Sequence, residues 1–286
     1  FRSLPVPPLP EADCTAEAPR LTISVTRLEQ LSPALLELGC PARVYIPLEE
    51  VSRLESLPGE GPEWCAVLPR VWRDRDESAL RTLLEWARAL GFTGVLIGNL
   101  GHLPLVRGLD FHLYGDYGLN VFNSRSLAYL KDKELESACV SFELRFAQIR
   151  DLKKVLRAEA IVYGRLPLMI TENCLVQNET GCRLDRQGPC VPEDGPCRCG
   201  QPNVLVDRTG AAFPLLPAYG HRTEIQNSKP LYLADRPEHR RLGLAYARLR
   251  FTTETAEECV SVVQNYLDAA PAAGDFTRGL YERGVE

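Results

Sequence analysis

The chain lacks long apolar runs, and it lacks an opening segment of the secretory type. Its apolar stretches, such as residues 160–163, are short and interrupted, whereas a membrane-spanning helix needs about 20 apolar residues in succession. A secretory signal would place basic residues before an apolar segment, and no such pattern opens the chain. These absences argue against a membrane partner, and we expect a cytoplasmic protein.

Positive charge and histidine are also scarce among the 286 residues. Lys and Arg number 33 against 38 Asp and Glu, and the net charge of −5 argues against a general nucleic-acid binder, although a local basic face is compatible with it. The four histidines form no HExxH helix, and none stands in a recognisable nucleophile motif. The sequence motifs of zinc, serine and cysteine peptidases are therefore missing.

Cysteine, by contrast, is concentrated in one part of the chain. Five of the ten cysteines lie between residues 174 and 199, among Gly, Pro, Asn, Asp and Arg. Such a segment cannot bury an apolar core of its own, and in a reducing cytoplasm clustered thiols are more typical of metal binding than of disulfides. His221 follows and can add a ring nitrogen as a ligand. The cysteines concerned are Cys174, Cys182, Cys190, Cys197 and Cys199.

The spacing of these cysteines does not select one metal. Seven residues separate Cys174 from Cys182 and sixteen separate Cys182 from Cys199, which does not match the paired CxxC knuckles of a structural zinc site. Cys197 and Cys199 are too close together to bind one zinc ion comfortably, although both could flank a larger cluster. Zinc, iron and an iron–sulfur cluster all stay open. Secretion with disulfides, or reduced cysteines without metal, are the alternatives.

Short β-rich runs alternate with helical patterns from residue 21 onward, which is typical of β-α units around a parallel sheet. Eight such units predict a (β/α)8 TIM-like barrel. A doubly wound open sheet is the alternative, but no glycine-rich turn follows the first strand. The predicted strands are residues 21–25, 42–46, 64–68, 94–97, 110–114, 137–141, 160–164 and 245–251. The predicted helices are residues 28–38, 49–57, 77–90, 103–107, 124–131, 146–156, 238–242 and 256–267.

The same pattern divides the chain into a linker and one domain. Residues 1–20 are predicted to form a proline-rich linker, and residues 21–286 the barrel. A Cys-rich insertion at residues 172–230 follows strand seven, and it includes a predicted hairpin near residues 204–215. Since the chain begins at Phe1 with a linker, we expect it to be a segment of a longer protein.

In a (β/α)8 barrel the active site lies at the carboxyl ends of the strands, so polar residues that follow a strand are candidates for function. Each also has a structural explanation, because such residues cap the next helix. The Cys-rich insertion is expected on this same face of the barrel. The candidates are Glu49, Glu50, Arg70, Asn99, Asp116, Asn120, Ser141, Glu143, Arg165, Glu172, Arg250 and Glu254.

Five segments occur in a characteristic order along the chain. They are LNVFNS at 119–124, VSFEL at 140–144, YGRLPLM at 163–169 leading to Cys174, LVDRTG at 205–210 and FTRG at 276–279. Together they resemble the U32 peptidase family, also called collagenase-like, over a range from about residue 21 to the end. The chain is most similar to the second, C-terminal barrel of long bacterial members that carry two such regions.

This resemblance implies a barrel fold and a four-cysteine motif that binds a [4Fe–4S] cluster in several members. It also implies oxygen-independent hydroxylation, of RNA bases or of a ubiquinone precursor, with prephenate as the oxygen source. Cys174, Cys182 and Cys199 match three of the family cysteines, and His221 stands where relatives have the fourth. A three-Cys, one-His cluster, substitution by Cys197 and loss of the cluster in this chain all stay open.

We therefore expect an iron–sulfur-dependent enzyme of RNA base hydroxylation, or a domain of one, with a preceding barrel in the same longer chain. Asn120, Glu143, Arg165 and Arg250 are predicted to line the substrate cavity, the arginines being suited to the carboxylates of prephenate. The alternatives are a zinc site in place of the cluster, a collagenase-like peptidase, and a non-catalytic barrel that supports another domain or helps to dock RNA.

Overall fold

The computed structural model describes residues 8, 9, 11, 13–180 and 201–284. Eight parallel strands pair in a closed ring, because the last of them pairs with both the first and the seventh. The predicted (β/α)8 barrel is therefore confirmed. Its strands are β1 (Arg20–Ser24), β2 (Arg43–Pro47), β3 (Glu63–Val67), β4 (Gly94–Ile97), β5 (His112–Gly115), β6 (Leu135–Cys139), β7 (Arg157–Gly164) and, far along the chain, β13 (Tyr246–Arg250).

Helices follow most of these strands and pack on the outside of the barrel. Their apolar residues join one large core with the strands. In α3, for example, Leu80, Leu84 and Ala87 are buried at helical spacing, and Gly91 ends the helix with a φ of 101°. The helices are α1 (Pro33–Gly39), α2 (Leu48–Val51), α3 (Glu77–Leu90), α4 (His102–Val106), α5 (Ser124–Asp132), α6 (Phe146–Asp151), α7 (Leu175–Thr180) and α8 (Ala256–Leu267).

A small second sheet follows β7 and occupies the place of the predicted insertion. It is antiparallel, in the order β8-β11-β10-β9. The predicted hairpin is confirmed as β9 and β10, joined by a turn in which the Asp207 side chain accepts hydrogen bonds from the backbone of Thr209 and Ala211. The strands are β8 (Pro167–Thr171), β9 (Asn203–Val206), β10 (Ala212–Ala218) and β11 (Arg222–Gln226), and β12 (Leu231–Tyr232) pairs with β7.

Several predicted boundaries differ from the structure. The helix predicted at 146–156 ends at Asp151, because residues 153–156 instead lead into the longer strand β7. The segment 238–242 forms a 3-10 turn, Pro237–Arg241, rather than an α-helix. The helix predicted at 28–38 is divided into a 3-10 turn and α1, because Pro33 begins a new helix with Ser32 as its N-cap.

The interior of the barrel is charged as well as apolar. Arg248 is 1% exposed and donates hydrogen bonds to Asp116, over 2.5 Å, and to Glu159. Glu159 also accepts from the hydroxyls of Thr22 and Tyr45. A buried charge needs such a set of partners. The network joins β1, β2, β7 and β13 to Asp116, which follows β5.

None of the helices in the described ranges has the length and apolar character of a membrane span.

Candidate functional site

The second sheet places one carboxylate over the carboxyl end of the barrel. Glu224 of β11 is 9% exposed and accepts hydrogen bonds from four side chains. Its Oε1 lies 2.9 Å from Nη1 of Arg70 and 3.5 Å from the hydroxyl of Tyr117. Its Oε2 lies 2.9 Å from Nε2 of Gln226 and 3.1 Å from Nη2 of Arg250. The loops after β3 and β5, the end of β13 and strand β11 of the second sheet therefore meet at one carboxylate.

A cleft opens beside this carboxylate and reaches the surface. Its volume is about 240 Å³. Burial, and next the charge of Glu224, raise the pKa of Tyr117, so its hydroxyl stays protonated and can donate. The cleft combines one arginine and one amide with an apolar wall, which is the usual composition of a small-molecule site. Its lining comprises Arg70, Tyr117, Gly118, Asn120, Phe142, Pro167, Leu168 and Met169.

Of the four predicted cavity residues, Asn120 lines this cleft directly. It adopts a left-handed backbone, with a φ of 53°, as the C-cap of the turn Tyr117–Leu119, and its side chain is exposed. Glu143 is half-buried in the loop after β6, where its backbone N–H donates to the hydroxyl of Ser141. Asparagine tolerates this backbone region better than most residues, so a structural reason for Asn120 accompanies the functional one.

The two predicted arginines bind protein groups. Arg250 donates from Nη1 to the backbone oxygen of Arg165 over 2.7 Å and to Gln226 over 2.9 Å, in addition to its bond to Glu224. Arg165 donates from Nη1 to the backbone oxygens of Asn227 and Ser228. Arg250 therefore approaches the cleft through Glu224, whereas Arg165 fixes the chain after β11.

Two predicted metal ligands lie within the described residues, at the same end of the second sheet. The register pairs Thr171 of β8 with Thr223 of β11, so Cys174 follows one strand where His221 precedes the other. The Cys174 thiol is buried, and its sulfur accepts from the Gln177 backbone N–H over 3.4 Å. His221 is half-buried with a φ of 59°.

The remaining predicted ligands, Cys182, Cys197 and Cys199, and also Cys190, lie outside the described residues. Within the described part of the chain, no group of three or more His, Cys, Asp or Glu side chains could hold a metal ion. A centre at Cys174 would therefore need at least one ligand from outside the described residues. The metal prediction stays a prediction.

An ion-pair cluster joins this end of the second sheet to the barrel. Glu172 accepts from Nε and Nη2 of Arg222, over 2.9 and 2.6 Å, and from Arg73 in the loop after β3. The hydrogen bonds from Arg222 first, and then those from Arg73, lower the pKa of Glu172 to about 2. Arg222 is 4% exposed and also donates to the backbone oxygen of Tyr219. The cluster anchors the segment that leads to Cys174.

One further carboxyl lies at the carboxyl face of the barrel. Burial raises the pKa of Glu49, the second residue of α2 after β2, to about 7, so this carboxyl can exchange a proton near neutral pH.

Glu224, Gln226 and Tyr117 were not among the predicted site residues. Tyr117 follows β5, so its position after a strand could have identified it as a candidate. Glu224 and Gln226 belong to β11, a strand that the sequence pattern did not indicate.

A model of peptidase family U32 matches residues 57–203, which is more than half of the chain. This chain belongs to family U32. The family match confirms the resemblance drawn from the five sequence segments. It includes Cys174, Cys182 and Cys199 as well as the cleft residues Arg70 and Asn120.

Solved structures with similar folds are distant from this U32 chain. The U32 peptidase Mk0906 aligns with a TM-score of 0.44 at 9% identity, over 83% of this chain and 95% of that one. The mutant tryptophan synthase alpha-subunit from Pyrococcus furiosus aligns with a TM-score of 0.36 at 10% identity, over 52% of this chain and 78% of that one. No curated protein matches the chain in sequence.

Proposed function

We propose that this U32 barrel is a domain of an oxygen-independent hydroxylation enzyme that acts on RNA bases and depends on an iron–sulfur cluster. The observation that supports it best is the cleft at the carboxyl end of the strands, where Arg70, Tyr117 and Asn120 surround a space of about 240 Å³. An arginine beside an amide suits a small carboxylate co-substrate such as prephenate. The RNA base would enter over the same face.

The residues that line the cleft have separate roles in this proposal. Arg70 binds and orients the carboxylate, Tyr117 donates a hydrogen bond, and Asn120 offers an amide to polar groups. Phe142 packs against Tyr117 with ring centroids 5.7 Å apart and, with Met169, gives the cleft an apolar wall. These roles are roles in binding and orientation, which raise the effective concentration of the reacting groups.

A [4Fe–4S] cluster would be held by Cys174 with Cys182, Cys199 and either His221 or Cys197. When bound, it would supply one-electron chemistry. The shared sheet end of Cys174 and His221 favours this set, and zinc is the alternative metal. A preceding barrel of the same longer chain would be a further partner of this domain.

Anaerobic purification tests the cluster. We expect iron and acid-labile sulfide with the broad visible absorption of an iron–sulfur protein, and Cys174→Ser should lose most of both. Cys40→Ser is the matched control, because Cys40 is exposed at the end of α1. A colourless protein with zinc and no iron, or equal iron in the two variants, would contradict the proposal.

The level of RNA hydroxylation tests the reaction. Mass spectrometry of RNA from cells that carry the full-length protein should show a large loss for Cys174→Ser and for Asn120→Ala. Turnover of gelatin or casein by metal-free protein, with unchanged RNA, would instead favour the peptidase alternative.

A supporting, non-catalytic barrel is the second candidate function. The observation that favours it is that Glu224, a carboxylate of the protein itself, already pairs with both Arg70 and Arg250. In that case Asn120→Ala and Cys174→Ser in the full-length protein would leave the modification level unchanged. The same RNA measurement therefore separates the two candidates.

A further inference from the structure

Glu224 lies where the carboxylate of a ligand would be expected to bind. Four donors, two of them guanidinium groups, converge on its two oxygens at 2.9 to 3.5 Å. Two of these hydrogen bonds come from charged guanidinium groups, and each oxygen accepts two of the four. Proteins recognise carboxylates by this arrangement. The carboxylate is nevertheless supplied by the protein itself.

The ion pairs near this position form two sets. Glu224 binds Arg70 and Arg250, whereas Arg248 binds Asp116 and Glu159. Both arginines of the first set are therefore bound to a carboxylate of the protein, and a ligand carboxylate would compete for them by exchange with it.

Only one of the three carboxylates is placed for such an exchange. The side chains of Asp116 and Glu159 are 6% and 1% exposed and both bind Arg248, deep in the barrel. The side chain of Glu224 is 12% exposed, and that of its partner Arg70 is 34% exposed and lines the cleft. A ligand that enters the cleft meets the Arg70–Glu224 pair first.

The backbone of β11 restricts how Glu224 can leave. Glu224 pairs with Ile170 of β8 on one side and with Leu216 of β10 on the other, so the strand is held along both edges. Rotation of the Glu224 side chain therefore costs less than movement of the strand.

The apolar cleft wall of Phe142, Leu168 and Met169 favours a ligand with an apolar or aromatic body.

We propose that Glu224 is an internal substitute for the ligand carboxylate. It pairs with Arg70 and Arg250, and it rotates away when a small aromatic carboxylate enters the cleft. This inference rests on the proposed function, because it concerns the carboxylate-binding part of the same site. It makes Glu224 a determinant of affinity, since every binding event must displace it.

Calorimetric titration with benzoate, and with benzamide as the neutral analogue, tests the exchange. We expect Glu224→Gln to bind benzoate on the order of tenfold more tightly than the wild type or better, because the competing charge is removed while the side-chain shape is kept. Benzamide affinity should be equal in the two proteins. Equal benzoate affinity, or an equal gain for benzamide, would overturn the proposal.

Two further variants test whether a change in benzoate affinity comes from Glu224 itself or from loosening of the second sheet. Glu172→Gln removes another carboxylate of this sheet, one that pairs with Arg73 and Arg222, and should leave benzoate affinity unchanged. Arg70→Gln should weaken benzoate binding by about tenfold or more. A gain for Glu172→Gln equal to that for Glu224→Gln, or full binding by Arg70→Gln, would also overturn it.

The titration needs neither a metal cluster nor RNA. A colourless, iron-free protein whose Glu224→Gln variant still gains benzoate affinity would contradict the proposed function and leave this inference standing. An iron-containing protein whose Glu224→Gln variant shows no gain would contradict this inference and leave the proposed function standing.

Discussion

His102 should make the stability of the barrel depend on pH, through the loop that carries Arg70. The imidazole is fully buried at the start of α4. Its Nδ1 lies 3.2 Å from the backbone N–H of Gly98 and must accept, so Nε2 carries the proton and donates to the backbone oxygen of Pro69 over 3.1 Å. The neighbouring Asn99 donates to the backbone oxygen of Arg70. A neutral ring at this position therefore positions the cleft arginine.

Burial lowers the pKa of His102 from 6.5 to about 4. A shift of this size corresponds to about 3 kcal/mol, at about 1.4 kcal/mol for each pKa unit. The unfolded chain binds a proton below pH 6.5, whereas the folded protein does so only near pH 4. The free energy of unfolding should therefore fall as the pH falls through this interval, and this contribution should be constant above and below it.

Urea unfolding of the wild type and of His102→Gln across this pH range measures the effect. The variant has no titrating ring, so the difference in unfolding free energy between the two proteins should shrink by about 3 kcal/mol as the pH falls from 6.5 to 4. Leu84→Ala is the control, because it removes buried apolar contacts of α3 and no titrating group, so its difference from the wild type should stay constant. A constant difference for His102→Gln would refute the reasoning.

Three other substitutions test the packing and the ion pairs. Arg248→Met should lower the unfolding free energy by about 3–5 kcal/mol, because it leaves two buried carboxylates unpaired, and a loss below 1 kcal/mol in urea unfolding would contradict this. Leu84→Ala should cost about 2–5 kcal/mol by leaving a cavity under α3, whereas Glu85→Ala, at an exposed neighbour, should change stability by less than about 0.5 kcal/mol in the same assay. The hydrogen bonds from Arg222 lower the pKa of Glu172 from 4.5 to about 2. The ionised Glu172 therefore stabilises the folded protein above pH 4.5, and this contribution is lost as the pH falls toward 2. The difference in melting temperature between the wild type and Glu172→Gln should shrink over that range, and a difference that grows would contradict the assignment.

The parts of the fold that the sequence predicted best are those whose ends carry local signals. The helix 77–90 was predicted with both ends correct, because Gly91 provides a left-handed C-cap. The helix 256–267 was also correct, since Thr255 and Glu258 form a capping box at its start. Barrel strands were located within a few residues because they are apolar runs between turn residues.

The second sheet was predicted only in part, for a physical reason. The hairpin of β9 and β10 has a local turn signal at residues 207–210, whereas β8 and β11 pair across 52 residues of chain at Thr171 and Thr223. The sequence of β11, RTEIQ, has no apolar alternation, yet all five residues are buried. Hydrophobic periodicity cannot indicate a strand whose buried contacts are polar.

The candidate site shows the same limit. Strand-end position indicated Arg70, Asn120 and Arg250 correctly as residues of the carboxyl face, because topology alone fixes that face. It could not assign their partners. Whether a guanidinium group binds a ligand, a backbone oxygen or Glu224 depends on contacts between segments more than 150 residues apart in the chain, as between Arg70 and Glu224.

The polar composition of β11 is itself an argument for a binding role of the barrel. A strand that only covered the end of the barrel would be most stable with apolar side chains, because burying polar and charged groups carries a desolvation cost. In β11 the buried Arg222, Glu224 and Gln226 all project into hydrogen-bonded networks, and two of them converge on Arg250 at the cleft. A cost of this kind is typical of sites at which a polar ligand is exchanged, and the Glu224→Gln titration measures whether that exchange takes place.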